Sequence, residues 1–183
     1  SLTQGALADM REEIYGIPIW AFAGASDSKV LDAQAGAEAM FSIITALLSR
    51  ANLIHDVGFL EYGSTSSLEM ITMAHELIAM SRFFVQGIPV NDGTLALEAI
   101  ERVGRGGPGS IFLMDDHTYD HFMEALFLPK LIDRSRYDAW EKDGALNLYN
   151  RCNKEAKRIL AEHVVDPKPD TVLKEIEQIL KNS

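Results

Sequence analysis

Three short apolar runs, each set between long amphipathic stretches, constrain this chain more than any other feature. They are Ile17–Ala23 (IPIWAFA), Asn52–Leu60 (NLIHDVGFL) and Ser110–Met114 (SIFLM). Each is bounded by turn residues and rich in β-branched, aromatic or aliphatic side chains, the pattern of a buried strand. Strands that alternate with helices are joined as βαβ units and pair in parallel. The expected order is α-β-α-β-α-α-β-α, followed by a helical tail. Three parallel strands make a small open sheet with unpaired edges. A complete (β/α)₈ barrel takes about 250 residues, and this chain has 183. The expected fold is therefore α/β, the last three strands of such a barrel with its helical appendage.

The helical stretches are punctuated by recognisable stops and starts. Leu2–Tyr15 ends on Gly16, and Asp32–Arg50 follows the small-residue loop Gly24–Ser28. Ser64–Ser67 supplies hydroxyls for the next helix, with Glu69 three residues after Ser66 as in a capping box. That helix runs to about Phe84. Asn91 and Asp92 precede a helix over Thr94–Val103, and Tyr119–Leu126 follows the third strand. Beyond Pro129 the chain changes character. Arg136–Gly144, Leu146–His163 and Pro169–Lys181 read as charged helices without strands between them. This divides the chain into a partial barrel over 1–128 and a helical extension over 129–183.

Composition narrows the function. The formal charge is −10, which repels nucleic acid and anionic membrane, so neither is an expected partner. The single Cys152 leaves no internal disulfide and no multi-cysteine metal site, and it fits a reducing, cytoplasmic setting. No apolar run reaches the ~18 residues of a membrane span. The first segment reads as an amphipathic helix rather than a secretory leader. A chain that opens on a helix instead of a strand is expected to be a piece of something larger.

All three strands end in polar clusters. These are Ser26, Asp27, Ser28 and Lys29; His55, Asp56, Glu61 and Tyr62; and Asp115, Asp116, His117 and His121. A parallel barrel presents the C-terminal ends of its strands to one mouth, where ligands bind. Capping is the competing account for Ser64, Thr65, Asp115 and Thr118. It applies less to His55, which precedes the end of its strand. A lone histidine is usually a satisfied core residue. Here Asp56 and Glu61 lie close by, and Gly58 lets backbone approach a ligand. Strand alternation gives His55 and Phe59 one parity, with Asp56 and Gly58 on the other. His117 and His121 share a helix face as zinc ligands would, but HTYDH lacks the glutamate of HExxH, so no metal site is expected. Trp20, Phe22, Phe59 and Tyr62 could hold a quaternary ammonium through cation–π attraction. GRGGPG, Gly104–Gly109, precedes a strand and lacks GK[ST], so it reads as a turn.

Four stretches then carry a resemblance across nearly all of the chain. They are GASDSKVLDAQAG (24–36), SRANLIHDVGFLEYGSTSSLEM (49–70), QGIPVNDGTLALEAIERVGRGG (86–107) and HTYDHFMEALFLPKLIDRSRYDAW (117–140). The chain resembles the C-terminal part of the trimethylamine methyltransferase family, the corrinoid-dependent methyltransferases. The resemblance implies a TIM barrel and transfer of a methyl group from a methylated amine to Co(I) of a cognate corrinoid protein. The corrinoid (cobalamin) would come on that partner, with no cofactor bound directly. Archaeal members carry a pyrrolysine that aligns near Ala25; this chain has only standard residues there. It thus looks like the branch acting on quaternary amines such as glycine betaine. The implied roles are His55 and Glu61 as catalytic residues. Trp20, Phe22, Asp27, Phe59, Tyr62 and His117 would bind substrate. A homo-oligomer is expected. The alternative is a non-catalytic C-terminal module that serves oligomerisation.

Overall fold

The computed structural model describes residues 2–106 and 110–182. α1 (Leu2–Met10) widens into a π-helical turn over Arg11–Tyr15. Gly16 stops it at φ 60°, its N–H donating to the Arg11 carbonyl at 2.7 Å, the left-handed C-terminal role expected of glycine. β1 (Trp20–Phe22) leads through the Gly24–Ser28 loop to α2 (Ala33–Leu48), and β2 (Leu53–His55) follows. β1 and β2 pair in parallel, with Trp20 opposite Leu53, Ala21 opposite Ile54 and Phe22 opposite His55. The βαβ unit read from the sequence is present.

The core lies between this strand pair and its helical cover. Ala21 and Ala23 turn inward against Ala35, Ala39, Ile43 and Ala46 of α2. Side chains this small let the helix lie close to the strand. Trp20 and Phe22 take the opposite parity and stand on the open face at 68% and 47% exposure. α3 (Leu68–Gln86) adds Met70, Met73, Ala74 and Leu77 to the core. α8 (Leu148–Glu162) adds Cys152, fully buried. Burial first, and the nearby Glu76 carboxylate next, push the Cys152 thiol up to about 11.

Three expectations give way. The run Asn52–Leu60 is two pieces, not one strand. Asp56 turns the chain at φ 67°, and Phe59–Leu60 (β3) then pairs antiparallel with Thr65–Ser66 (β4). The third parallel strand, Ser110–Met114, is absent. Phe112–Met114 forms a 3-10 turn, and among the described residues it has no sheet partner. Its backbone bonds locally instead: Met114 N–H donates to Ile111 at 3.0 Å and Asp115 N–H to Phe112 at 3.1 Å. Asp115 then caps α6 (Asp116–Ala125) and accepts a two-pronged bond from Arg102 at 2.9 Å, which fixes the turn to the neighbouring helices. Third, the helix over Thr94–Val103 breaks at Ala96, φ 50°, into α4 (Asp92–Leu95) and α5 (Leu97–Gly104). Gly107, Pro108 and Gly109 of the expected glycine-rich turn lie outside the described residues.

The remaining helices are α7 (Tyr137–Lys142) and α9 (Asp170–Asn182). Among the described residues no helix is long and apolar enough to cross a membrane.

One carboxylate ties the segment after Pro129 to α3. Glu76 is nearly buried and accepts backbone N–H bonds from Lys130, Leu131 and Ile132 at 2.6–2.9 Å. A buried carboxylate is tolerated when its lone pairs are filled this way. Arg151 of α8 donates to the Leu131 carbonyl at 2.6 Å, closing the clamp from the other side. Glu76→Ala leaves three inward-facing amides without an acceptor. It should cost about 2–4 kcal/mol, read as a lowered urea midpoint, while Glu76→Gln should cost less. An unchanged midpoint for the alanine variant would refute the clamp.

Candidate functional site

The two loops that leave β1 and β2 stay zipped together beyond the strands. Ala23 N–H donates to His55 at 3.3 Å, Gly58 N–H to Gly24 at 3.0 Å, Ser26 N–H to Phe59 at 3.0 Å and Glu61 N–H to Ser28 at 3.0 Å. Asp56 and Val57 form the bulge that this ladder steps over. Such bulges re-aim the side chains beside them. Because the bulge resets the alternation, the parity expected to join His55 to Phe59 does not carry across it. His55 lies on the open face, whereas Phe59 is half-buried beside the hairpin.

His55 stands between two aromatic rings. Its imidazole lies 5.6 Å from the Trp20 ring, tilted by 55°, and 6.3 Å from Phe22, edge to face at 83°. The strand register makes this cluster, since Phe22 is directly opposite His55 and Trp20 is two residues back on the same face. Nδ1 of His55 is 3.1 Å from the Asp56 carboxylate.

Gly58 has a packing role. A Cβ there would collide with the side chain of Ile71 in α3. The close approach read from the sequence is thus made by a side chain of the neighbouring helix, with Gly58 at φ 93°.

Glu61 and Tyr62 follow with φ of 48° and 54°. Among the described residues six non-glycine positions have positive φ, and Asp56, Glu61 and Tyr62 make half of them. Backbone of this kind concentrates at ligand and switch sites. The Glu61 carboxylate accepts from the Thr65 hydroxyl at 3.1 Å, which turns it toward the hairpin. Tyr62 is 77% exposed, and the Lys29 ammonium lies 5.3 Å over its ring.

Asp27 sits on the neighbouring loop with its side chain outward. Its N–H and the Ser26 hydroxyl both donate to Glu38, at 2.9 and 2.6 Å. Glu38 of α2 thereby anchors this loop. Sequence reading passed over it, although it is the lone acid in the alanine-rich start of that helix. The capping box expected at Ser66 does not form, because the N-cap lies one residue later. Ser67 caps α3, accepting from Met70 N–H at 3.1 Å, and donates its own hydroxyl to Glu69.

His117 belongs to another region. Its ring nitrogen pairs with the Gly93 carbonyl at 2.8 Å, and its ring lies 4.5 Å from His121. The structure thus brings Trp20, Phe22 and His55 together, sets Phe59, Glu61 and Tyr62 on the adjoining turn, and places His117 among α4 and α6. Among the described residues no three His, Cys, Asp or Glu side chains converge as a metal site would need.

The model of the family described as trimethylamine methyltransferase matches residues 2–181. The chain belongs to the trimethylamine methyltransferase family. It is 35% identical to a trimethylamine methyltransferase of Desulfitobacterium hafniense, over 93% of this chain and 34% of that protein. It is also 35% identical to a glycine betaine methyltransferase of the same species, over 87% of this chain and 33% of that one. A Methanosarcina acetivorans trimethylamine methyltransferase is 30% identical over 92% of this chain and 33% of its own length. The chain thus spans about a third of the length of the relatives it matches.

The Glu38 anchor is testable by acid. The Ser26 hydroxyl, then Gln34 and the Asp27 amide, hold its carboxyl below the usual value of 4.5. A depressed folded value means that the contribution is present above the unfolded value and is lost as pH falls through the folded one. Glu38→Gln should therefore destabilise at pH 7 and lose its effect well below pH 4.5. Melting curves of both proteins across that range check it, and a deficit independent of pH would refute the charged anchor.

Proposed function

We propose that the full-length protein moves a methyl group from a methylated amine to Co(I) of a corrinoid carried by a partner protein. The observation that best supports this is the exposed face of Trp20, Phe22 and His55 at the end of the β1–β2 pair. A quaternary nitrogen has no N–H to donate and carries a diffuse charge, so aromatic faces hold it well, tryptophan best. His55, oriented by Asp56, addresses the polar end of the amine. Glu61, once it releases Thr65, adds a carboxylate that attracts the cation. Asp27, Phe59 and Tyr62 close the surroundings on the two zipped loops.

A corrinoid is broad and flat and arrives on its own protein, so it needs an open face rather than a closed cavity. Trp20, Phe22 and Leu53 offer such a face, at 68%, 47% and 49% exposure. When bound, the corrinoid supplies the nucleophile. The residues of this chain position the amine, and positioning of this kind can be worth several kcal/mol. The loop around Ala25 holds only standard residues, which favours a quaternary amine such as glycine betaine over trimethylamine. A quaternary nitrogen is already a competent leaving group and needs no special side chain.

We also infer that the β1–α2–β2 unit is part of a larger (β/α) barrel, whose interior the Trp20 face would line. The full-length protein should demethylate at least one member of a panel of methylated amines when supplied with a Co(I) corrinoid protein. His55→Ala should lower kcat/KM by about 10²-fold with little change in Tm. Unaltered turnover with a lowered Tm would make His55 a structural residue.

A second reading, association through uncovered surface, has its own support. The chain exposes 13901 Å², whereas a compact monomer of 20.3 kDa exposes about 8,800 Å². Ile111, Phe112, Leu113 and Met114 are each more than half exposed, and apolar surface on this scale marks an interface. Light scattering of the 183-residue chain should give a mass above that of the monomer; a clean monomer at high concentration counts against this reading.

A further inference from the structure

A cavity of about 670 Å³ opens between the loop after β1, the β3–β4 hairpin and the start of α8. It shares no residue with the Trp20–Phe22–His55 face. Leu31, Leu60 and Leu68 give it apolar walls, and its lining carries one cation, Lys29, one anion, Glu69, and one aromatic ring, Tyr149. A volume of several hundred Å³ with a few placed polar groups is the ordinary form of a small-molecule site.

The two charges are prepared differently. Lys29 donates one N–H to the Asp27 carbonyl at 2.9 Å and rests over the Tyr62 ring. Two of its three N–H groups remain for an anion. Glu69 has both carboxylate oxygens engaged, one by Asn153 at 2.6 Å and one by the Ser67 hydroxyl at 3.0 Å. The Asn153 bond, above all, holds its carboxyl below the ordinary range, so it is ionised at neutral pH. A carboxylate filled in this way offers charge more than it offers acceptor positions. It suits a cation that brings no N–H to satisfy. The half-exposed Tyr149 ring is a face for that same kind of cation.

We infer that this cavity binds a small zwitterion bearing a quaternary ammonium group, with the ammonium beside Glu69 and Tyr149 and the carboxylate on Lys29. The apolar walls take the methyl groups, and the Ser66 hydroxyl lies at the same rim. Neither charge alone selects this ligand. A simple cation is repelled by Lys29, a simple carboxylate by Glu69, and only a molecule carrying both signs meets both.

The test is calorimetric titration of the full-length protein carrying Trp20→Ala and His55→Ala, which disable the proposed methyl-transfer face. Glycine betaine and tetramethylammonium are the probes. Betaine should still bind that protein. Adding Lys29→Met should weaken betaine by about tenfold or more, the scale of one charge-assisted hydrogen bond, and Lys29→Arg should restore it. Tetramethylammonium should bind at least about tenfold more weakly than betaine, and Lys29→Met, which removes the repulsion, should strengthen its binding. Absence of betaine binding in the face-disabled protein overturns the inference. So does betaine binding that ignores Lys29→Met, with circular dichroism reporting that each variant is folded. If Lys29-dependent binding is found while the wild-type protein demethylates no amine, only the methyl-transfer reading falls.

Discussion

The parallel ladder between β1 and β2, carried on through the loops, is the constraint on which the rest of this structure depends. It starts where the Asn52 and Leu53 N–H groups donate to Ile19 and ends where Glu61 donates to Ser28. Backbone amides and carbonyls must be satisfied somewhere. Here the Gly24–Ser28 loop and the 56–61 segment satisfy each other. Two chain segments that would otherwise be mobile surface loops are held side by side. The proposed methyl-transfer face hangs on that ladder: Trp20, Phe22 and His55 at its first rungs, Glu61 and Tyr62 at its last.

The helical cover fixes which side of the ladder stays open. Ala21 and Ala23 face α2 because Ala35, Ala39 and Ala46 leave room for close approach. The larger aromatic side chains cannot share that space, and strand alternation sends them to the other face. The same small-residue packing brings Glu38 near enough to anchor Ser26 and Asp27. Stability and site geometry are thus coupled: the helix that buries the strands also holds the loop. The Glu76 clamp does the same for the segment after Pro129, and buries Cys152 of α8 in the common core.

Much was legible in advance wherever a signal is local. Gly16 ends the first helix because a left-handed residue is needed there, and the long helix expected from Asp32 begins one residue later, at Ala33, with Asp32 as its cap. Helix positions and the parallel pairing of β1 with β2 follow from period and spacing. Signals that need a neighbour were read less well. SIFLM has strand composition, but composition cannot supply a partner strand, and Arg102 holds Asp115 in a helix cap instead. Gly58 signals close approach without saying what approaches, and the answer is Ile71. Lys29 reads as one polar loop residue until Tyr62 appears beneath it.

The sequence by itself determined the family, the βαβ order and the residue types available at the strand ends. These are written in local pattern and motif content, which survive without coordinates. The tertiary structure decided which of those residues meet. Register put His55 between Trp20 and Phe22, the bulge at Asp56 turned Phe59 away from them, and the α4–α6 region took His117 elsewhere. A shift of one residue reverses every side chain on a strand, so no pattern of residue types could have settled those partnerships; hydrogen-bond pairing between distant segments settles them.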